Sequence, residues 1–291
     1  MPSPTVFRSA RAILGESLVS DVASDAPAML WCDITAGLIH RSPLDGSADG
    51  SDDTVIALPA PVASFHLADL DGAAGYVVSL GDRVVLVDGG GEIVTELAAI
   101  EHAHDGLRLN EGKVDPAGRW VTGSMDLTRG EPDGAFYSVT AAGARVIAGG
   151  IGTANGLEWS PDGTRIYYTD TSTETIYTGG YSADGDISDV EVFHHGEMHD
   201  GLTVDADGWL WSAVYGAGVV VRYDENGVER ERHEFAAPNL TSVAFAGSTL
   251  YVASARENLT EEQLLAHPLS GAVFALETTT TGRPARVFVT S

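Results

Sequence analysis

Cysteine is almost absent from this sequence, because Cys32 is the one cysteine among 291 residues. A single cysteine cannot form an internal disulfide, and its place in the apolar run MLWCDI indicates a small buried side chain. Basic residues are also scarce: 16 Lys and Arg stand against 42 Asp and Glu, giving a formal net charge of −26. Nucleic acids and anionic membranes are bound through Lys and Arg side chains. We therefore expect neither nucleic acid nor a membrane as a partner.

Long apolar runs and targeting signals are missing as well. No run approaches the roughly 18 apolar residues of a membrane-spanning helix, and the first 17 residues contain no basic region followed by an apolar one. The sequence predicts a soluble cytoplasmic protein. It also contains no Gly-x-Ser-x-Gly, no His-Glu-x-x-His, no pair of cysteines and no glycine-rich phosphate loop. These absences argue against the serine hydrolases, zinc proteases and nucleotide-binding proteins that carry such motifs.

Helical periodicity is nearly absent, whereas strand signals occur along the whole chain. The segment NLTEEQLLAHP (258–268) is the one candidate for a helical turn, with Thr260 as N-cap and Gln263 three positions later. Short segments rich in Val, Ile, Tyr and Trp alternate with glycine-containing turns, a pattern typical of all-β proteins. The clearest strand segments are VIALPA, GYVVSL, RVVLVD, RIYYTD, WLWSAV, GVVVRY, LYVASA, AVFAL and RVFVT.

Three of the turns recur at a regular interval. Asp115, Asp162 and Asp205 each follow a short strand and precede an apolar one, at spacings of 47 and 43 residues. A unit of about 45 residues that holds about four strands is typical of a propeller blade. The length then predicts an all-β, six-bladed β-propeller that forms one domain over residues 1–291. We expect the TVF segment near residue 6 to close the ring by pairing in the blade that contains RVFVT (286–290).

Polar side chains stand at the entry to several predicted inner strands. Asn155 precedes the strand before the SPDG turn, and Asp200 occupies the matching place before the DADG turn. Glu16, Arg108 and Asn110 stand at comparable positions in two other blades. Taken singly, Asn-Gly and Asp-Gly before a strand are ordinary turn signals. Together, carboxylate and amide oxygens converging on a propeller channel are ligands suited to Ca²⁺, Mg²⁺ or Mn²⁺, and also to Zn²⁺ or Fe²⁺.

Several motifs of this chain resemble those of the SMP-30/gluconolactonase/regucalcin-like family, in the order in which that family carries them. The resemblance extends over nearly the whole chain. Its segments are LGES (14–17), LWCDITAGLIHR (30–41), RLNEGKVDPAGRWVTGSM (108–125), TANGLEWSPDGTRIYYTDT (153–171), DGLTVDADGWLWSAVYGAGVVVRYDENG (200–227), TSVAFAGSTLYVASAR (241–256) and HPLSGAVFAL (267–276).

The resemblance implies a six-bladed propeller with one divalent metal ion in its channel and hydrolysis of a sugar lactone. It makes Glu16, Asn155 and Asp200 the metal ligands, and it makes Arg108 and Asn110 contacts of the substrate. The metal would polarise the lactone carbonyl, and Asp200 would act as the catalytic base for the attacking water. The ion would be Ca, Mn, Mg, Zn or Fe, and the partner a small sugar lactone.

Some positions depart from the family pattern. Glu111 stands where the family usually has Asp, and His199 stands where Pro commonly precedes the channel Asp, so that its imidazole either assists proton transfer or is exposed. Ser17-Leu18 replaces the usual Gly-Pro after Glu16. Asp126 is a candidate for an acidic substrate contact that some members carry there.

Two histidines lie close to the Arg108 motif in the sequence. His102 and His104 precede Arg108, and a loop position is expected for His104 rather than one in the channel.

An organophosphate or aryl-ester hydrolase on the same kind of propeller is an alternative function. A noncatalytic metal-binding or ligand-binding propeller is another, from a different class. The oligomeric state is not predicted.

Overall fold

The computed structural model describes residues 3–128 and 131–290. These residues form mainly β-strands, with a 3-10 turn at Thr171–Thr173 and a short helix α1 at Glu261–Ala266. The strands are β1 (Thr5–Arg8), β2 (Gly15–Asp21), β3 (Ala28–Asp33), β4 (Leu38–Pro43), β5 (Thr54–Ala57), β6 (Val62–Leu70), β7 (Ala73–Leu80), β8 (Arg83–Asp88), β9 (Ile93–Ala99), β10 (Leu107–Val114), β11 (Trp120–Asp126), β12 (Gly134–Thr140), β13 (Gly143–Ile151), β14 (Ala154–Trp159), β15 (Arg165–Asp170), β16 (Thr175–Tyr181), β17 (Ile187–His195), β18 (His199–Val204), β19 (Leu210–Val214), β20 (Val219–Tyr223), β21 (Glu229–Glu234), β22 (Leu240–Ala246), β23 (Thr249–Ser254), β24 (Val273–Glu277) and β25 (Phe288–Val289).

Within the described residues, the strands form six sheets of four or five strands. Five of these sheets contain four sequence-consecutive strands in spatial order, and the sixth combines β22–β24 with β1. Repeated four-stranded sheets of this kind are the blades of a β-propeller. The predicted all-β, six-bladed fold class is confirmed.

The residues group into two compact units. One consists of the described part of Met1–Ala57 together with Asp200–Ala285, and it holds the β2–β5 and β18–β21 sheets and the sheet of β22–β24 with β1. The other consists of Leu58–His199, apart from residues 129 and 130, and the segment from Arg286 to residue 290. It holds the sheets β6–β9, β10–β13 and β14–β17, and β25 joins the first of them. We call these the first unit and the second unit. The single domain over 1–291 stays a prediction.

The two chain ends lie in different sheets, so the predicted closure is wrong in its pairing. Strand β1 pairs antiparallel with β24 in the first unit, with Thr5 opposite Ala275. Strand β25 instead pairs parallel with β6 in the second unit, with Phe288 opposite Ala68. Both segments are equally strand-like in sequence, and side-chain pattern alone does not choose the sheet edge that each one covers.

The aspartates of the repeated turns have the predicted hairpin role, and two of them are also buried. Asp115 Oδ1 accepts hydrogen bonds from the backbone N–H groups of Ala117 and Arg119, at 2.8 and 2.9 Å. Asp205 Oδ2 accepts from the indole Nε1 of Trp211 at 2.8 Å, which ties its turn to a buried side chain. Asp162 is exposed and bonds only within its own turn. The repeat motif therefore belongs to the scaffold.

Two other sequence predictions about the scaffold are confirmed. Cys32 is a fully buried side chain. Thr260 Oγ1 accepts from Gln263 N while Gln263 Oε1 accepts from Thr260 N, which is the predicted capping box at the start of α1. None of the helices in the described part of the chain is long and apolar enough to cross a membrane.

Candidate metal and substrate site

Most of the predicted site residues lie on the first strands of their sheets, several of which carry a β-bulge. The exception is Asp126, which ends β11, the second strand of its sheet. We use "first strand" for the strand that comes earliest in the sequence of each four-strand series. A bulge inserts one extra residue into a strand, bends it and re-aims the side chains beside it. The bulges fall between Glu16 and Val19 in β2, between Leu109 and Gly112 in β10, and between Asn155 and Leu157 in β14. Similar irregularities occur in the first strands β6 and β22.

In the second unit, Arg108, Asn110 and Asn155 form a continuous hydrogen-bonded series. Arg108 Nη1 donates to Asn110 Oδ1 at 2.8 Å, and Asn110 Nδ2 donates to Asn155 Oδ1 at 2.6 Å. Asn155 Nδ2 then donates to Thr171 Oγ1 at 2.9 Å, and Thr171 Oγ1 donates to the carbonyl oxygen of His199 at 2.6 Å. We call these four side chains, Arg108, Asn110, Asn155 and Thr171, the amide relay.

The direction of the amide relay fixes which atom of each amide is the oxygen. Because a hydroxyl and a backbone carbonyl stand at its end, Asn155 can only donate to Thr171. Its Oδ1 then has two acceptor positions, and Asn110 uses one of them. Asn155 is 9% exposed, so its amide oxygen is held in a nearly dry environment. An amide oxygen oriented in this way is a ligand that fits a hard divalent cation.

In the first unit, Glu16 and Asp200 are buried carboxylates near Tyr215. Glu16 is 8% and Asp200 6% exposed. Burial raises the pKa of the Tyr215 hydroxyl, and the negative charges of Asp200 and Glu16 add to that increase, against a hydrogen bond from Asn258 that lowers it. Both carboxylates are therefore close enough to Tyr215 to influence its ionisation.

Tyr215 is held by further polar contacts of the first unit. Its hydroxyl oxygen accepts from Asn239 Nδ2 and from Asn258 Nδ2, both at 3.1 Å. Asn239 Nδ2 also donates to the backbone carbonyl of Glu257 at 2.9 Å. These contacts connect the segment after β19 with the residues around β22 and β23.

A close backbone approach explains the glycine of the Asp200-Gly201 pair. A Cβ atom on Gly201 would lie 2.7 Å from the Thr241 carbonyl oxygen and 2.8 Å from Ser242 Cα, so the strand β18 packs directly on the backbone of β22. In the same unit, Thr241 Oγ1 donates to the Gly15 carbonyl oxygen at 2.5 Å. The glycine is therefore required by packing, and the aspartate before it is not needed to form a turn.

The structure gives the carboxylate of Asp126 partners in its own loop. Its side chain is completely buried. Oδ1 accepts from the Thr128 backbone N–H at 2.8 Å and from Thr128 Oγ1 at 3.1 Å, and Oδ2 accepts from the Glu131 N–H at 3.1 Å. These bonds hold Thr128 and Glu131 to the Asp126 carboxylate. The substrate contact predicted for Asp126 stays a prediction, and the observed bonds supply a structural role.

The histidines differ from one another in placement. His104 lies in the loop before β10, as expected, with its Nε2 3.8 Å from Asp126 Oδ2. His199 is fully buried, so the alternative that it is exposed is wrong. Its ring lies 5.4 Å from that of His194, at an angle of 81°.

Glu111, which departs from the family pattern, lies inside the second unit. Burial raises the pKa of its carboxyl, the charge of Lys113 and the Gly112 N–H oppose this, and Glu158 reinforces it. Glu111 Oε1 accepts from the Gly112 N–H at 2.8 Å. A carboxyl in these surroundings is driven towards its neutral form.

Sequence reasoning missed Thr171 and Tyr215. Thr171 follows directly after the strand segment RIYYTD, and Tyr215 follows directly after WLWSAV. A polar residue immediately after the second strand of a blade was the available signal. It was weak, because Thr and Tyr are also common at strand ends for reasons of backbone conformation.

Comparison with known proteins places these features in a family. The fold is similar to that of a solved structure, a calcium-binding protein, regucalcin, from Agrobacterium tumefaciens. The two structures match with a TM-score of 0.89 and 29% identity, over 99% of this chain and 97% of the other. The sequence model of the family described as the SMP-30/Gluconolactonase/LRE-like region matches residues 14–256. The chain belongs to this family.

Curated relatives of this chain include sugar lactonases. The 6-deoxy-6-sulfogluconolactonase of Pseudomonas putida is 33% identical over 273 residues, which cover 90% of each chain. The L-arabinolactonase of Azospirillum brasilense is 32% identical over 285 residues, covering 94% of this chain and 91% of the other. The family resemblance inferred from the motifs is confirmed.

Proposed function

We propose that this protein is a metal-dependent lactonase that hydrolyses a small sugar lactone to the corresponding aldonic acid. The observation that carries the proposal is the amide relay, which orients the Asn155 amide oxygen and connects it to Arg108 and Asn110. Membership of a family with sugar-lactonase relatives supports it. A scaffold alone has no need of a guanidinium and two amides arranged in this way.

In this proposal, Glu16, Asn155 and Asp200 hold one divalent cation. Two carboxylates and one amide supply only oxygen donors, which suit Ca²⁺, Mg²⁺ or Mn²⁺ and also accept Zn²⁺ or Fe²⁺. When bound, the ion supplies Lewis-acid polarisation of the lactone carbonyl. The formal charge of −26 further favours cations near the protein.

The side chains of the chain itself bind the lactone and move a proton. Arg108 commits its Nη1 to the Leu109 carbonyl and to Asn110 Oδ1, and a guanidinium has five N–H donors in all. The Arg108 guanidinium would donate to ring hydroxyls or to the carbonyl oxygen of the substrate, with Asn110 aligning it. Asp200 would accept the proton of the attacking water, because its carboxylate is the general base that the family pattern puts at the metal.

The test is proton release from a panel of pentono- and hexonolactones, corrected for spontaneous hydrolysis. Protein stripped with a chelator is assayed alone and after addition of Ca²⁺, Mg²⁺, Mn²⁺, Zn²⁺ or Fe²⁺. We expect turnover of at least one lactone that disappears with the metal and returns with it. Asp162→Asn serves as the matched control for Asp200→Asn, because Asp162 is exposed in a turn and should leave turnover unchanged. A folded, metal-binding protein that accelerates no lactone would contradict the proposal.

A second candidate is calcium binding without catalysis. The regucalcin that matches at 29% identity is described as a calcium-binding protein. Calcium binding that requires Glu16 and Asn155, without turnover of any lactone in the panel, would favour this function over the first.

A further inference from the structure

A second group of metal-ligating side chains shares no residue with the ligand set proposed for the lactone site. His194, Glu197 and His199 each offer one ligand atom, and these atoms all lie within 4.8 Å of one another. All three residues belong to the second unit, at the connection between β17 and β18. We propose that this group, which we call the His–Glu–His cluster, binds a second divalent transition-metal ion, with Zn²⁺ as the probe of choice.

The backbone brings the three side chains of the cluster together. Strand β17 ends at His195 and β18 begins at His199, so three residues make the connection. The His199 N–H donates to the Glu197 carbonyl oxygen at 2.8 Å, which makes the turn compact. The rings of His194 and His199 are nearly perpendicular, at 81°, with centroids 5.4 Å apart. Perpendicular rings allow one nitrogen of each to face a common point without steric overlap.

The cluster requires only a small adjustment to bind an ion. With metal–ligand bonds of about 2.0–2.2 Å, tetrahedral ligand atoms lie roughly 3.4 Å apart. The present limit of 4.8 Å exceeds that separation by about 1.4 Å. His194 and Glu197 are only half-buried, and a side chain on Gly196 between them would meet no atom within 4 Å. The two outer ligands therefore have room to move towards the buried His199.

The donor set distinguishes this cluster from the proposed lactone site. Two imidazole nitrogens and one carboxylate are the ligands of many zinc sites with an open fourth position. Imidazole prefers Zn²⁺, Cu²⁺ and Ni²⁺ to Ca²⁺ and Mg²⁺, whereas Glu16, Asn155 and Asp200 offer oxygen alone. The two sites should therefore differ in metal preference, which makes them separable by experiment.

The decisive measurement is Zn²⁺ binding by metal-stripped protein in the presence of excess Ca²⁺, by titration calorimetry and by metal analysis after gel filtration. We expect the wild-type protein to bind one Zn²⁺ that Ca²⁺ does not displace. His194→Ala should abolish this binding, and Glu197→Gln should weaken it by at least about tenfold. His195→Ala is the matched control, because His195 is adjacent in sequence, contacts Thr175 Oγ1 and is not in the cluster. It should bind Zn²⁺ as the wild type does.

A spectroscopic readout tests the same ligands independently of affinity. Cu²⁺ bound at the cluster should show electron paramagnetic resonance splitting from two imidazole nitrogens, and His194→Ala should remove one of them. Circular dichroism of each variant confirms that it remains folded. Equal Zn²⁺ affinity and equal nitrogen coupling in wild type and His194→Ala would overturn the proposal. Loss of Zn²⁺ binding in His195→Ala to the same extent would also overturn it, because binding would then not depend on the cluster.

Discussion

The two units of this molecule contribute different chemistry to the proposed function. The first unit supplies carboxylates: Glu16 and Asp200 are buried and both influence Tyr215. The second unit supplies neutral or cationic donors that are oriented by one another, from Arg108 through Asn155 to Thr171. The first unit thus contains the candidate carboxylate ligands, and the second unit contains the hydrogen-bonded amides.

This difference has a physical reason. A carboxylate accepts hydrogen bonds through either oxygen, so it can serve as a ligand in several rotations of its side chain. An amide presents an oxygen on one side and an NH₂ on the other, so it serves as a ligand only if a donor–acceptor series fixes its orientation. As a proposed ligand, Asn155 would therefore need supporting residues such as Thr171, whereas Glu16 would depend mainly on the bend in its own strand.

The largest effect is expected from removing charge in the first unit. Asp200→Asn keeps the shape of the side chain but removes its ability to accept a proton, so we expect kcat for lactone hydrolysis to fall by about 10²- to 10⁴-fold. Initial rates with metal at saturation measure this effect. Near-full turnover of this variant with metal bound would show that Asp200 is not the base.

The next largest effect is expected from breaking the amide relay in the second unit. Thr171→Val removes the acceptor of Asn155 Nδ2 and the donor to the His199 carbonyl. Loss of such an orienting partner typically weakens a metal site by about 10- to 100-fold. Calorimetric metal titration of the stripped protein measures the change.

Thr171→Ser is the control for the amide relay, because it keeps the hydroxyl. It should retain the metal affinity of the wild type within about threefold, since the donor and acceptor of the series remain in place. If Thr171→Val bound metal as tightly as Thr171→Ser, the amide relay would not orient Asn155, and the contrast between the units would be lost.

The next effect is smaller and concerns Glu111, a carboxyl group of the second unit. Burial raises the pKa of Glu111 in the second unit, so its ionisation in the folded protein carries a cost. Since the unfolded chain loses this proton at lower pH than the folded protein, Glu111 reduces stability as pH rises above its ordinary value of 4.5. Glu111→Gln should therefore increase the free energy of unfolding at pH 7, by less than about 2 kcal/mol.

Urea unfolding of wild type and Glu111→Gln at several pH values measures this difference. The gain should shrink as the pH falls towards 4.5, where the wild-type carboxyl becomes protonated in both states. A Glu111→Gln protein that is less stable than the wild type at pH 7 would mean that the ionised Glu111 carboxylate stabilises the second unit. Buried negative charge would then not distinguish the first unit from the second.

The smallest effect concerns the bend that directs Glu16 in the first unit. Ser17 has a φ of 51°, in the left-handed region, and its N–H donates to Glu16 Oε2 at 2.9 Å. Glycine adopts such a φ without strain. Ser17→Gly should keep lactone turnover and raise the free energy of unfolding by up to about 1 kcal/mol. Thermal unfolding checks the sign, and a clear loss of stability would show that Ser17 contributes more than its backbone.

Much of the fold could be predicted because its signals are local. Strand periodicity, turns such as the one at Asp115, and the cap at Thr260 each depend on residues only a few positions apart. The length of the repeat then led to six blades. The pairing of the chain ends could not be predicted in this way, because β1 and β25 carry similar apolar patterns and the sheet edges they cover are far away in sequence.

The site was predictable in part. Arg108, Asn110 and Asn155 were identified from their motifs, and the second unit connects them by hydrogen bonds. The sequence analysis did not identify Thr171, Tyr215 or the His–Glu–His cluster, because the contacts that suggest a role for them form only when strand pairing or a turn brings their partners near.

By itself, the sequence of this protein determined the strands, the turns, the number of blades and the family, because all of these depend on short-range patterns and on motif order. The tertiary structure decided which sheet takes each chain end and which amide atom faces which partner. These depend on bulges, register and backbone contacts between distant segments, and no local pattern encodes such contacts.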